Sequence, residues 1–108
     1  MFAEVKESLP ISGDRYDAEI IRQIRACALD LTTSAEIVLP GTIAITRSAQ
    51  GVITDTSTLT DELIITAISI WCNMRIGNPP NYDSLLKAYE SLKGQLRLSK
   101  SYTGVVTV

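Results

Sequence analysis

Four stretches of this chain repeat apolar residues at helical spacing, and one stretch near the middle does not. The strongest of the four lies within TDELIITAISIWCNMRIGNPPN, residues 60–81. From 63 to 76 its apolar side chains are Leu63, Ile64, Ile65, Ala67, Ile68, Ile70, Trp71, Cys72, Met74 and Ile76. On a 3.6-residue period they point in nearly every direction, which marks a helix enclosed by others. Thr60 is the expected N-cap, and Asp61 and Glu62 put negative charge at the positive end of the helix dipole. Gly77 supplies a left-handed C′ residue, and Pro79-Pro80 forbid continuation. The span is too short, and too interrupted by Thr66, Ser69, Asn73 and Arg75, to cross a membrane.

Amphipathic helices are predicted on either side. Ile20, Ile24, Cys27 and Leu31 recur at spacings of 4, 3 and 4, with Ile21 and Ala28 widening the stripe and Asp14 or Ser12 as cap. Arg15, Glu19, Arg22 and Arg25 fall mostly on the outer face, where Glu19 and Arg22 make an i,i+3 pair. Leu85, Tyr89, Leu92 and Leu96 form the matching stripe of a last helix, capped by Asn81 with Asp83 in its first turn. Gly94 inside that helix implies a close neighbour. A short N-terminal helix over residues 1–10 places Phe2, Val5 and Leu9 on one face. The predicted core is therefore Ile20, Ile24, Cys27, Leu31, Leu63, Ile64, Ala67, Ile68, Trp71, Cys72, Leu85, Tyr89, Leu92 and Leu96.

Residues 36–57 break this rhythm. EIVLPGTIAITRSAQGVITDTS is rich in Ile, Val and Thr and alternates around Ile43-Ala44-Ile45-Thr46. With Ser48-Ala49-Gln50-Gly51 as a turn, 42–47 and 52–56 can pair as a hairpin. The other reading is a long loop joining two helices, and loops of that length in compact domains tend to meet a partner. The C-terminal SKSYTGVVTV has strand propensity without a nearby partner strand, so residues 99–108 read as a tail that frays or joins another subunit's sheet. The predicted fold is mostly α, a small helical bundle around a buried central helix. A short β-hairpin or long loop interrupts it, and an extended C-terminal tail follows a single domain over residues 1–98.

Composition narrows the function classes more than it identifies one. The chain of 108 residues has ten basic and twelve acidic side chains, a net charge of -2 without the footprint of a nucleic-acid binder. Charge is uneven: residues 1–62 hold ten acids and five bases, and residues 63–108 hold two acids and five bases. That polarity fits head-to-tail contact between copies as well as chance. Cys27 and Cys72 lie in separate helices and the chain has no histidine, so buried reduced thiols are expected rather than a zinc site. MFAEVKES does not read as a signal peptide, and an intracellular setting is expected. Ser-His and Cys-His catalysis are excluded for lack of histidine, and no phosphate-binding glycine pattern occurs. Asp14 and Asp17 are better read as a solvated first helical turn than as a catalytic pair. A helix-turn-helix is excluded because about 25 residues, not 3–4, separate the two long helices. No cofactor or metal is expected.

Three segments carry a family resemblance: EVKESLPISGDRYDAEIIRQIRACALD, then DELIITAISIWCNMRIGNPPNYDSLL, then GQLRLSKSYTG with Gln95-Leu96-Arg97. In order and spacing the chain resembles the head–tail connector (adaptor) family of long-tailed bacteriophages and prophages, also described as DNA-packaging proteins. The likeness covers residues 3–104 except 36–57. It implies a structural virion protein and no enzyme. Such subunits form a ring of about twelve copies under the portal protein, a closed assembly. The ring extends the DNA channel and docks stopper or tail-completion proteins. DNA would pass without sequence-specific binding, and no membrane is involved. The implied setting is the host cytoplasm during assembly and then the head–tail junction of the virion. Candidate subunit or portal contacts are Arg75 and Arg97, the tail residues Lys100, Tyr102, Val105 and Val106, and Ile43, Ile45, Arg47, Val52 and Ile53 of the central excursion. The competing reading is a small intracellular helical regulator acting as a dimer.

Overall fold

A computed structural model describes residues 1–11, 13–76 and 79–98. The elements run α1 (Phe2–Glu7), α2 (Asp17–Thr33), β1 (Ile45–Arg47), β2 (Ile53–Asp55), α3 (Glu62–Arg75) and α4 (Tyr82–Leu98). The chain is thus mostly helical with one small hairpin. α3 packs on α1, α2 and α4, and β1 lies against α2.

Helix α3 is enclosed because its apolar positions meet three neighbours. Ile64, Ala67, Ile68 and Cys72 have no exposed surface, and Ile65, Met74 and Ile76 are almost as buried. Around them pack Phe2, Val5 and Leu9 from the N-terminal segment, Ile20, Ile24, Cys27 and Leu31 from α2, and Tyr89 and Leu96 from α4. Leu85, Leu92 and Trp71 are half-buried at the edge of this core. Leu63 departs from the expected core set: it is 46% exposed. Three helices do not encircle a fourth, so the side of α3 that carries Leu63, Glu62 and Thr66 stays open to solvent.

Caps differ from the expectation in instructive ways. Asp61, not Thr60, is the N-cap of α3, its carboxylate accepting from the Ile64 N–H at 3.1 Å. A carboxylate at that position both satisfies an orphan amide and faces the helix dipole. Tyr16 stands at the N-cap of α2 without a side-chain cap, and Asp17 begins the helix. Asp17 is not solvated. It is buried, with the Lys6 ammonium of α1 2.7 Å from its Oδ1, a close ion pair off the hydrogen-bond direction. α1 ends at Glu7, before Pro10, yet Leu9 still packs into the core. Gly94 has open space around it, so no close neighbour explains it.

The hairpin forms as the alternating pattern implies, with shorter strands. Ile45 faces Asp55, Thr46 faces Thr54 and Arg47 faces Ile53 in antiparallel register. The turn closes through Ser48 N–H to the Val52 carbonyl and Gly51 N–H to the Ser48 carbonyl, with Gly51 at φ 84°. Beyond the strands the two arms stay joined, Thr56 N–H to Ala44 O and Thr58 N–H to Thr42 O. At their base Gly41 lets the chain pass under Leu59: a Cβ there would lie 2.8 Å from the Leu59 backbone. A lone hairpin is marginal in water. This one is held to the helices by buried Ile45 and by Arg25, whose guanidinium donates to the Ile45 carbonyl at 2.7 Å. Its other strand is held by Asp55, whose carboxylate accepts from the Phe2 N–H at 2.8 Å.

Candidate subunit interface

Helix α2 is the backbone of the candidate surface. Its inward stripe is spent on the core, and its outward side carries Ala18, Arg22, Arg25 and Leu29, the last 63% exposed. Arg22 is engaged by Glu19 on the same helix, and Glu19 also accepts from Gln23 at 2.8 Å. These partners, Gln23 first, hold the Glu19 carboxyl below its ordinary range. Arg25 instead reaches the hairpin. Between α2 and β1 a groove of about 340 Å³ is lined by Ala18, Ile21, Arg25, Ile45, Thr46 and Arg47. Two guanidinium groups thus border one concave surface, with Ile21 and Ile45 almost fully buried beneath it. Neither meets a carboxylate among the described residues.

A second polar cluster ties α2 to α4. The Tyr89 hydroxyl, on a ring only 1% exposed, donates to Asp30 Oδ2 at 2.6 Å, and Lys93 Nζ reaches the same oxygen at 3.1 Å. The Cys27 thiol lies 3.7 Å from the Tyr89 oxygen. Burial pushes the Cys27 and Cys72 thiols up to about 12, and burial, then the neighbouring Cys27 and Asp30, raises Tyr89 well above its usual range. Thiols with such pKa values are packing groups, not nucleophiles. Trp71 sits beside this cluster, its ring edge-on to Tyr89 at 5.3 Å and its N–H donating to Gln23 at 3.0 Å. The Arg75 guanidinium lies 4.4 Å from the Trp71 ring centroid, a cation–π contact on the exposed side.

A further groove, about 330 Å³, runs along α3 beside the end of α1 and is lined by Ser8, Ile65, Thr66, Ser69, Ile70 and Asn73. The Asn73 Oδ1 is buried there without a hydrogen-bond partner. No group of three or more metal-ligating side chains occurs among the described residues.

The candidate contacts predicted from sequence fall into three groups. Arg47, Arg75, Arg97 and Val52 are exposed, Val52 at 62%. Ile43 and Ile53 are half-buried against the core, and Ile45 is 2% exposed. Ile45 is thus a core residue that anchors the hairpin, not a surface one: alternation puts it on the side facing α2. Lys100, Tyr102, Val105 and Val106 lie outside the described residues. Arg25 is not among the contacts the sequence predicts, because its signal is weak: an arginine on an outer helical stripe whose partner is 20 residues away. Glu36, with φ 55°, is a backbone oddity that nothing in the sequence marks.

This geometry offers two grooves and several exposed cations. No helix of the described residues is long and apolar enough to cross a membrane. Neither the search of curated proteins nor that of solved structures gave a match. A family model described as Phage connector protein matches residues 1–103, which includes the stretch 36–57 that lies outside the three segments carrying the resemblance. Matched over nearly its whole length, the chain belongs to the phage connector protein family, a structural rather than catalytic one.

Proposed function

We propose that this connector subunit assembles into a closed ring of about a dozen copies beneath the portal, extends the DNA channel and docks stopper or tail-completion proteins. Family membership over residues 1–103 is the observation that carries this reading. The exposed cations add to it: Arg47 on the hairpin, Arg75 on α3 and Arg97 on α4 project from the folded unit without a carboxylate partner among the described residues. Such groups are free to pair across an interface. The folded unit is residues 1–98, with 36–57 as an excursion that meets neighbours. Residues 99–108 act as a tail toward the portal or an adjacent subunit, with Lys100, Tyr102, Val105 and Val106 as its contacts. Assembly takes place in the host cytoplasm and ends at the head–tail junction of the virion. DNA threads the ring without sequence-specific contacts.

The test is the mass of the purified protein across concentration, alone and with its portal, with electron micrographs of the concentrated sample. Rings of about twelve or thirteen copies, free or on the portal, are expected. A stable dimer that ignores the portal would overturn the reading in favour of a helical regulator. Deleting 99–108 should leave the unfolding transition in place and weaken assembly; a truncated chain that no longer folds would reject the tail assignment.

A further inference from the structure

The groove between α2 and β1 has a counterpart on the same molecule. After α2 ends at Thr33, the chain runs through residues 34–40 with alternating exposure: Ala35 and Ile37 are buried, and Glu36, Val38 and Pro40 face solvent. Val38 is 62% exposed, and the Glu36 carboxylate has no partner among the described residues. Glu36 also holds a left-handed backbone at φ 55°, a conformation that residues other than glycine seldom adopt. The Ile37 N–H donates to the Leu31 carbonyl at 3.1 Å, which fixes the segment at the C-terminal end of α2. An acid and an apolar side chain are thereby presented two residues apart.

The groove offers the complement. Arg25 and Arg47 border it, and Ile21 and Ile45 form its floor with Ala18 beside them. We propose that this groove receives residues 36–40 of a second copy, with Glu36 entering between Arg25 and Arg47 and Val38 resting over Ile21 and Ile45. The two halves of the contact do not meet within the folded chain: among the described residues no ion pair joins Glu36 to Arg25 or Arg47, and the groove lies along the first half of α2 while the segment follows its C-terminal end. Complementary patches at opposite ends of one helix generate a head-to-tail contact, which closes into a ring when the rotation between copies permits. A nucleic-acid phosphate would also suit two arginines. The net charge of -2 favours a protein segment that brings its own carboxylate.

This inference rests on the ring reading and deepens it by naming the surfaces that meet. Its test is charge reversal at two exposed positions: Glu36→Arg, Arg47→Glu and the double variant, each checked for unaltered circular dichroism. Self-association is then followed by sedimentation over a concentration series at low and moderate salt. Each single reversal should weaken association tenfold or more, and the double variant should associate more tightly than Glu36→Arg alone while staying below wild type, because Arg25 still faces position 36; a double variant no better than Glu36→Arg would overturn the pairing. Single variants that associate like wild type would overturn this contact and leave the ring reading standing. A wild type that stays monomeric at every concentration would overturn self-assembly of the free chain and this contact with it. Arg47→Glu that leaves association unchanged but removes salt-sensitive binding to a short DNA duplex would assign the arginines to phosphate and overturn the proposal.

Discussion

Removing one oxygen from Tyr89 isolates the contribution of the polar cluster that joins α2 to α4. In Tyr89→Phe the ring keeps its buried place and its edge-on contact with Trp71, and the 2.6 Å hydrogen bond to Asp30 is lost together with the weak one from the Cys27 thiol. Hydrogen bonds to charged groups contribute about 1.5–3 kcal/mol. Two features pull the value toward the low end. The Asp30 side chain is 26% exposed, so water can replace the hydroxyl, and Lys93 still holds the same oxygen at 3.1 Å. The thiol of Cys27 loses an acceptor, but a thiol is a weak donor. The expected loss is therefore about 1–2 kcal/mol. At the usual unfolding entropy of a chain this long, that corresponds to a drop of roughly 4–9 °C in Tm. Urea unfolding followed by far-UV circular dichroism and by the fluorescence of Trp71, the single tryptophan, measures it directly. Pairing the variant with Asp30→Asn in a double-mutant cycle should return a coupling of about 1 kcal/mol. A loss below about 0.3 kcal/mol with an unchanged m-value would refute the claim that this bond helps hold α4 to α2. A lowered m-value would show instead that the variant altered the compactness of one state.

Gly41 and Gly94 should respond to substitution with opposite signs. Gly41→Ala drives a methyl into the Leu59 backbone and should destabilise by about 1–3 kcal/mol, whereas Gly94→Ala meets open space in α4 and should stabilise by about 0.5–1 kcal/mol; thermal unfolding of both decides it. The buried thiols predict an alkaline limit. Their folded pKa values, about 12, lie above the ordinary 9.0, so the native chain keeps protons that the unfolded chain releases. Their contribution is complete below pH 9 and declines as pH rises toward 12; urea midpoints over that range should fall, and Cys72→Ala should flatten the slope. Asp61→Ala should cost about 1 kcal/mol by uncapping α3, and an unmoved midpoint would mean that the cap is dispensable.

Helical elements were legible because their information is local. The 4, 3, 4 spacing of Ile20, Ile24, Cys27 and Leu31, and of Leu85, Tyr89, Leu92 and Leu96, requires one side to be apolar whatever that side meets. The hairpin register was also readable, since Ser48 to Gly51 supplies a turn and alternation fixes which side chains face inward. What escaped was each feature that depends on a distant partner. Asp17 looks like a helix-starting acid until Lys6 of α1 buries it. Arg25 looks like a solvated outer cation until the hairpin brings the Ile45 carbonyl to it. Trp71 reads as core by hydrophobicity, but the indole sits at the core's edge because its N–H needs Gln23 and its outer side meets Arg75. The candidate surface was legible in its charges, not in its pairing: Arg47 stands out in sequence, and only the fold sets it opposite Arg25.

Leu63 shows how the missing information bears on function. Hydrophobicity alone assigns α3 a full jacket of neighbours, and the chain supplies helices for only part of it: α1, α2 and α4. The molecule is only 19 Å across in its thinnest direction, little more than a helix with side chains and its neighbour's backbone. In such a slab an apolar residue that misses the core has nowhere to go but the broad surface, as Leu63, Leu29 and Val38 do. Scattered single residues of this kind are ordinary on any protein. Val38 differs from the other two because an acid two residues before it, and two arginines bordering the groove along the first half of the same helix, have no ion-pair partner among the described residues. Chemistry that comes in matched halves, left unjoined in the folded chain, favours a role in assembly more strongly than exposure does. The paired reversal of Glu36 and Arg47 is therefore the decisive comparison, since rescue by the double variant cannot arise from loss of exposed apolar surface.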